Sequence, residues 1–336
     1  MCKICIKGLM LQLGILFLPF CLLIVMLSEI TYSQEINKTE IQQVIPIMKT
    51  LGGRQFWGDV HFFRELRIQK NVLTNHYRLL DGNDQRLAFG TFQECLQELN
   101  KQRKARNLEP MSGEAVVLLH GIMRTAKSFE PLQRELEKQG YLVFSVNYPS
   151  TQITIEQASI NLQQVLKSLE GVERFSLVGH SMGGLVIRAW SRDHEDARLE
   201  KVVMLGTPNQ GAELADALKD FLPYQWVMGK AGQQLGTDEK NIPNQLPVPT
   251  VPVGIIAGGR GEKSRGYNPW LPGDNDGTVT VASTHLKGEA AFLRIACLHA
   301  FIMRDPKAIQ AVAHFIKQGT FSPNAAKPIL ANESDK

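Results

Sequence analysis

Gly179-His180-Ser181-Met182-Gly183 sets a serine between two glycines in the pattern G-x-S-x-G. Such a pentapeptide is a modest signal alone. Its surroundings add weight. The apolar run 175–178 reads as a strand entering the motif, and 182–191 reads as a helix leaving it. A strand–turn–helix of this kind strains the serine backbone and lifts its hydroxyl off the carboxyl edge of a sheet. Gly179 and Gly183 keep Cβ atoms out of so tight a turn, and Gly184 allows the helix to approach the strand. The chemistry this predicts is attack of the Ser181 hydroxyl on an acyl carbon.

A serine hydroxyl needs a histidine to take its proton and a carboxylate to hold that histidine's tautomer. On a strand–turn–helix elbow the chain order is serine, acid, histidine. His285, His299 and His314 follow at suitable distance. His314 falls inside the last helical pattern. His285 lies too soon after the best acid to leave room for an intervening strand. His299 comes just after the strand pattern 292–297, where a loop at the carboxyl edge is expected. The acid should follow the strand 253–257. Asp276 is favoured because Gly277 permits the sharp turn that presents its carboxylate, with Asp274 as the runner-up. The oxyanion formed on attack needs backbone N–H donors: Met182, after the nucleophile, and Ile122, in the loop His120-Gly121-Ile122-Met123 after an early strand. His120 itself reads as structural.

These residues need a scaffold. From 114 onward, apolar runs and helical spacings alternate: strands at 115–119, 141–146, 175–178, 201–205, 253–257 and 292–297, and helices at 128–139, 155–169, 182–191 and from Asp305-Pro306 to about 318. That rhythm predicts a mostly parallel sheet with helices on both faces. Residues 209–250 break it with Phe221, Leu222, Tyr224 and Trp226 and a proline-rich stretch, and read as a cap or lid. Residues 35–110 read as a small strand-plus-helix module. Asp81-Gly82 divides two strands, Thr91 and Glu94 match a capping box, and Phe92, Cys95, Leu96 and Leu99 form one helix face. The segment 101–110 reads as a linker into a main domain at 111–320, with a tail at 321–336. The basic run Lys101, Arg103, Lys104 and Arg106 reads as a solvated helix end.

The composition is that of an ordinary globular protein: 43% apolar, 21% charged, net charge +4 over 336 residues. With no strong basic stripe, a nucleic-acid partner is not expected. Residues 8–27 carry no charge, with Lys3 and Lys7 before them and Glu29 after. Residues 1–34 therefore read as a signal peptide or an N-terminal membrane anchor, and this places the rest of the chain outside the cytoplasm: secreted, periplasmic or anchored facing outward. A lipid-modified Cys21 lacks the small residues such a site needs before it. Only Cys95 and Cys297 lie beyond the leader, enough for one bridge but not for a disulfide framework. No zinc-site spacing occurs, and nothing calls for a cofactor.

Leu118-Leu119-His120-Gly121, Gly179-His180-Ser181-Met182-Gly183-Gly184, Gly206-Thr207-Pro208-Asn209-Gln210-Gly211 and Asn275-Asp276-Gly277-Thr278-Val279 together resemble bacterial lipases and esterases of the α/β-hydrolase superfamily, and lipase-like relatives that deacylate glycosylphosphatidylinositol. The resemblance covers about 113–318 and leaves 35–110 outside. It implies an α/β-hydrolase fold, a lipid or small ester substrate, and Asp276 as the acid. Some relatives carry a calcium-binding aspartate two residues after the histidine. Phe301 stands there in this chain, so calcium is not implied. Two other readings stand beside ester hydrolysis: an acyltransferase using the same acyl-serine, and a binding protein that kept the fold. The second would normally have lost a member of the serine, acid and histidine set.

Overall fold

The computed structural model describes residues 53–322, all within the second of two compact units, Gly53–Lys336. The expected leader at 1–34, the start of the N-terminal module and most of the tail lie outside the described residues. Among the described residues, no helix is long and apolar enough to cross a membrane.

A 3-10 turn, Gly53–Phe56, opens into a four-stranded antiparallel meander: β1 (Trp57–Phe63), β2 (Leu66–Asn71), β3 (Tyr77–Leu80) and β4 (Arg86–Gly90). Helix α1 (Phe92–Ala105) follows. Its N-terminus carries the reciprocal Thr91–Glu94 capping box, and it buries Cys95 and Leu99. Residues 101–105, the first half of the segment read as a linker, are helical, in keeping with the basic run as a helix end. Arg103 covers Phe63 with its guanidinium 3.8 Å from the ring centroid. That contact gives one of the basic residues a packing role.

The second sheet has six parallel strands in the order β10-β9-β8-β7-β5-β6. In chain order these elements are β5 (Gly113–Leu119), α2 (Glu130–Lys138), β6 (Leu142–Val146), α3 (Ile155–Ser168), β7 (Val172–His180), α4 (Met182–Asp193) and β8 (Leu199–Leu205). Three short helices come next, α5 (Glu213–Leu218), α6 (Leu222–Gly232) and α7 (Ile242–Gln245), then β9 (Val253–Gly259), α8 (Val281–Thr284), β10 (Ala291–Ala296) and α9 (Pro306–Gln318). The carboxyl-terminal halves of the central strands are buried and largely apolar because helices cover both faces, whereas Glu114, Glu173, Arg174, Glu200 and Lys201 stand near their amino ends. One core unites a face of this sheet with the meander: Val117, Phe144, Leu162 and Leu177 pack in the same cluster as Phe62, Leu66, Ile68 and Leu79. A second lies on the other face, where Leu118, Val178 and Val203 meet Leu132, Leu136, Val312 and Phe315. Burying each such side chain contributes about 1.5–3 kcal/mol. Cys95 and Cys297 are both buried free thiols.

Arg188, on α4, anchors the segment that carries α5 to α7. It is buried and donates to the carbonyls of Pro247 at 3.1 Å, Asn209 at 3.0 Å and Leu246. With no carboxylate to offset the loss of water, burial pushes its pKa down to about 10. The aromatic segment expected to act as a lid falls at the start of α6, and the side chains of Tyr224 and Trp226 lie outside the described residues.

Candidate active site

Ser181 stands between β7 and α4 with φ 54° and ψ −125°. A non-glycine residue holds such a conformation only where the surroundings impose it, at a cost of order 1–3 kcal/mol. Its N–H donates to Leu205 O at 2.8 Å, which fixes the elbow against β8. A Cβ at Gly183 would collide with the Leu119 carbonyl, so only glycine lets α4 start this close to β5.

His299 begins a 3-10 turn just beyond β10, and Asp276 lies in the loop after β9. The two are joined twice. His299 Nδ1 lies 2.7 Å from Asp276 Oδ2, and the His299 N–H donates to Asp276 O at 2.9 Å. The other oxygen of Asp276 accepts from the N–H groups of Thr278 at 3.0 Å and Val279 at 2.8 Å. The carboxylate is fully buried, and each oxygen has a donor. This pair lies against Gly206, the residue after Leu205: a Cβ on Gly206 would sit 3.1 Å from His299 Nδ1 and 3.2 Å from Asp276 Oδ2. Leu205 and Gly206 therefore touch the serine elbow on one side and the acid–histidine pair on the other. His299 bonds to Asp276 and, through its carbonyl, to His180, and no bond to the Ser181 hydroxyl is formed. Such bonds often tighten only when substrate is bound.

Asp274 is engaged elsewhere. It accepts from the N–H groups of Arg260 at 2.6 Å and Gly261 at 3.0 Å and pairs with Arg294 at 3.0 Å. His285 pairs with Glu289 at 2.8 Å and stacks on Phe292. His314 bonds Thr320 O at 2.6 Å. None of the three meets Ser181.

The Gly121 backbone passes over the serine, and a Cβ there would lie 3.0 Å from Ser181 Cβ. The N–H groups of Ile122 and Met182 have no partner among the described residues. Met123 follows with φ 58°, and its N–H donates to Ser150 Oγ at 3.0 Å. His120 sits beneath, stacked on Tyr148 at 4.3 Å, with the Tyr148 hydroxyl donating to its carbonyl. Burial, aided by the positive Arg124, pushes the His120 pKa down to about 4. The ring is therefore neutral. Its Nε2 accepts from Tyr148 N–H at 3.3 Å and its Nδ1 donates to Gly121 O at 2.8 Å.

Sequence reasoning missed three residues. His180 is buried, and its Nε2 lies 3.0 Å from the His299 carbonyl. Burial first, then the neighbouring His299, drives its pKa well below the usual imidazole range. A neutral ring can then donate to that carbonyl and hold the turn that carries His299. Its place before the serine was the available signal. Gln55 reaches Arg124 O at 3.3 Å and accepts from Ser150 Oγ at 3.2 Å. Asp59, on β1, accepts from the Asn147 N–H at 2.6 Å, and Asn147 Oδ1 in turn accepts from the Ala126 N–H at 3.0 Å. No local pattern announces Gln55 or Asp59.

Residues 115–245 match the family model described as the alpha/beta hydrolase family. A triacylglycerol lipase of Pseudarthrobacter phenanthrenivorans is 30% identical over 119 residues, 32% of this chain and 37% of that protein. A triacylglycerol lipase of Burkholderia plantarii is 30% identical over 119 residues, 32% of this chain and 33% of that protein. The chain thus spans about a third of the length of the curated relatives it matches. Among solved structures, a lipase of Bacillus licheniformis in its mature form aligns with 63% of this chain and 95% of its own, at 18% identity and a TM-score of 0.45. The six parallel strands with their flanking helices form an α/β-hydrolase fold, and residues 115–245 within it are similar to the alpha/beta hydrolase family.

Proposed function

We propose that the chain hydrolyses carboxylic esters through an acyl-serine intermediate, with Ser181, His299 and Asp276 as its catalytic triad. The observation that carries this reading is the doubly bonded His299–Asp276 pair seated on Gly206, next to the strained Ser181 elbow. Ser181 Oγ attacks the ester carbonyl carbon while His299 Nε2 takes its proton. Asp276 holds the imidazole with Nδ1 protonated and stabilises the cation that forms. The carbonyl oxygen gains the negative charge, facing the N–H groups of Ile122 and Met182. Each such donor contributes about 3–4 kcal/mol in the transition state. Collapse expels the alcohol, which receives the proton from His299. Water then repeats the sequence on the acyl-serine and releases the acid.

Met123, Leu298 and Phe301 are exposed and apolar, and all three flank site residues. That rim favours a lipase over a short-chain esterase. The uncharged run at 8–27 supports the further proposal that this rim acts outside the cytoplasm.

A fluorophosphonate probe tests the assignment. Wild-type protein is expected to label at one serine and lose esterase activity in step, and Ser181→Ala to do neither. Equal labelling of Ser181→Ala would end the proposal. On emulsified esters, activity is expected to rise steeply once substrate passes its solubility limit, and a flat response would leave a plain esterase.

A further inference from the structure

Arg124 lies two residues past Ile122 and is half-buried, and its guanidinium has neither hydrogen-bond acceptor nor ion-pair partner among the described residues. Burial lowers its pKa, and the neighbouring Arg304 lowers it further. Among the described residues Arg304 finds only backbone carbonyls, Ser128 O at 3.3 Å and Lys127 O at 3.5 Å. Lys127 is already held by Asp84 at 3.1 Å. Ile122, Arg124, Lys127, Ser128 and Arg304 line a cavity of about 380 Å³. Half-buried Arg124 and exposed Arg304 thus line one space, and among the described residues neither pairs with a carboxylate. A partly desolvated guanidinium beside a second positive charge is costly until an anion joins them.

We propose that this cavity is a headgroup subsite that takes the phosphate-type oxyanion of an ester lipid while Ser181 attacks its acyl bond. This deepens the ester-hydrolase reading and rests on it for the attack step. Arginine suits the ligand because its planar fork matches a tetrahedral oxyanion with paired N–H donors. The placement also fits. Ile122 contributes both to the cavity wall and, through its N–H, to the oxyanion site. Two residues of backbone span at most about 7 Å, so the cavity begins within a glycerol backbone's reach of the scissile carbonyl. A neutral glyceride would leave both guanidinium groups without a counter-charge.

Binding is measured first on Ser181→Ala protein, where no lipid is consumed, with non-ionic detergent micelles carrying either phosphatidic acid or a diacylglycerol of the same acyl chains. The expected result is at least tenfold tighter binding to the phosphatidic acid micelles. Adding Arg124→Gln should remove most of that preference, and Arg124→Lys only part of it. Lys167→Gln should keep it. Lys167 is exposed at the end of α3, near the start of β7 and so away from the carboxyl edge where Ser181 lies. Inorganic phosphate should compete in the arginine-intact protein. If it binds as tightly as the lipid, the ligand is a free anion and the headgroup assignment fails. Equal losses in Arg124→Gln and Lys167→Gln would show diffuse surface attraction and overturn the proposal.

Turnover is measured on protein that keeps Ser181. Arg124→Gln should lower kcat/KM about tenfold on phosphatidic acid and leave p-nitrophenyl butyrate within twofold. A loss of the same size on both substrates would mean that Arg124 supports the loop and not the ligand. Because the binding arm needs no nucleophile, its result stands even if the Ser181 assignment fails.

Discussion

The two halves of the site are built by different means. Asp276 and His299 are 23 residues apart, and their loops bond directly to each other through backbone and side chain. The loop of Ile122, proposed to carry an oxyanion donor, leans by contrast on groups from outside the six-stranded sheet. Gln55 and Asp59, in the N-terminal meander and the turn before it, hold Arg124, Ser150 and Asn147, and Ser150 and Asn147 hold Met123 and Ala126. A histidine ring can be aimed by one well-bonded carboxylate. A backbone N–H can be aimed only by fixing the whole loop that carries it. The N-terminal meander and the turn before it therefore brace the loop proposed to carry an oxyanion donor.

The largest expected effect lies in the first half. Asp276→Asn keeps the shape but presents an amide that stabilises the wrong tautomer, and kcat should fall about 10⁴-fold. Asp274→Asn should leave kcat within a few-fold, because Asp274 serves Arg294 and two backbone N–H groups. Steady-state kinetics on a soluble ester reads both. A deeper loss in Asp274→Asn would reverse the assignment.

In the second half, Gly121→Ala should lower kcat about 10²–10³-fold, the cost of misplacing one oxyanion donor. The new Cβ would press on His180 Nδ1 at 2.9 Å and Ser181 Cβ at 3.0 Å. The protein should still fold, as judged by an unchanged far-UV spectrum. Activity within twofold of wild type would show that the loop has slack and needs no brace.

Much of the proposed site was legible in the sequence. Ser181, Asp276 and His299 sit beyond the ends of strand patterns, and their chain order is the one expected with a strand–turn–helix serine elbow. Gly277 pointed to Asp276 over Asp274; in the structure Asp276 meets His299 and Asp274 pairs with Arg294. The brace was not legible. Gln55 meets Arg124 across 69 residues, and Asp59 meets Asn147 across 88. The strand β1 also hides itself. It buries Gly58, Asp59 and Val60 in succession, and a buried aspartate breaks the alternation that would announce a strand. The boundary between α1 and the segment read as a linker was hard to fix for a related reason: Lys101, Lys104 and Ala105 are exposed, so no apolar face marks the last turn.

Asp59 also gives the brace a pH signature. Burial raises its pKa above the ordinary 3.8, against the lowering effect of Arg67. Between 3.8 and that raised value the folded protein keeps a proton that the unfolded chain gives up. Stability from this residue is thus greatest at low pH and declines as pH rises through the window, by about 1.4 kcal/mol for each pH unit. Asp59→Asn cannot ionise and still offers an oxygen to Asn147. Its stability relative to wild type should therefore climb with pH across the same window and then level off. Urea melts at stepped pH values would show this, and a constant difference would mean that Asp59 titrates alike in both states.

The smallest expected effect tests the brace most directly. Gln55→Ala removes one amide that joins two loops, at Arg124 O and Ser150 Oγ. Ordinary hydrogen bonds are worth about 1 kcal/mol each in net stability, so the melting midpoint should move only slightly. The loop that carries the Ile122 N–H would nevertheless lose its tie to the meander, and kcat on p-nitrophenyl butyrate should fall about three- to tenfold. The pH dependence of kcat should stay in place, because the Asp276–His299 pair is untouched. A substitution that merely loosened the protein would lower thermal stability and activity together and would be rescued by cooling. Unchanged kcat at full stability would separate the meander from the oxyanion loop and reduce Gln55 to a surface contact.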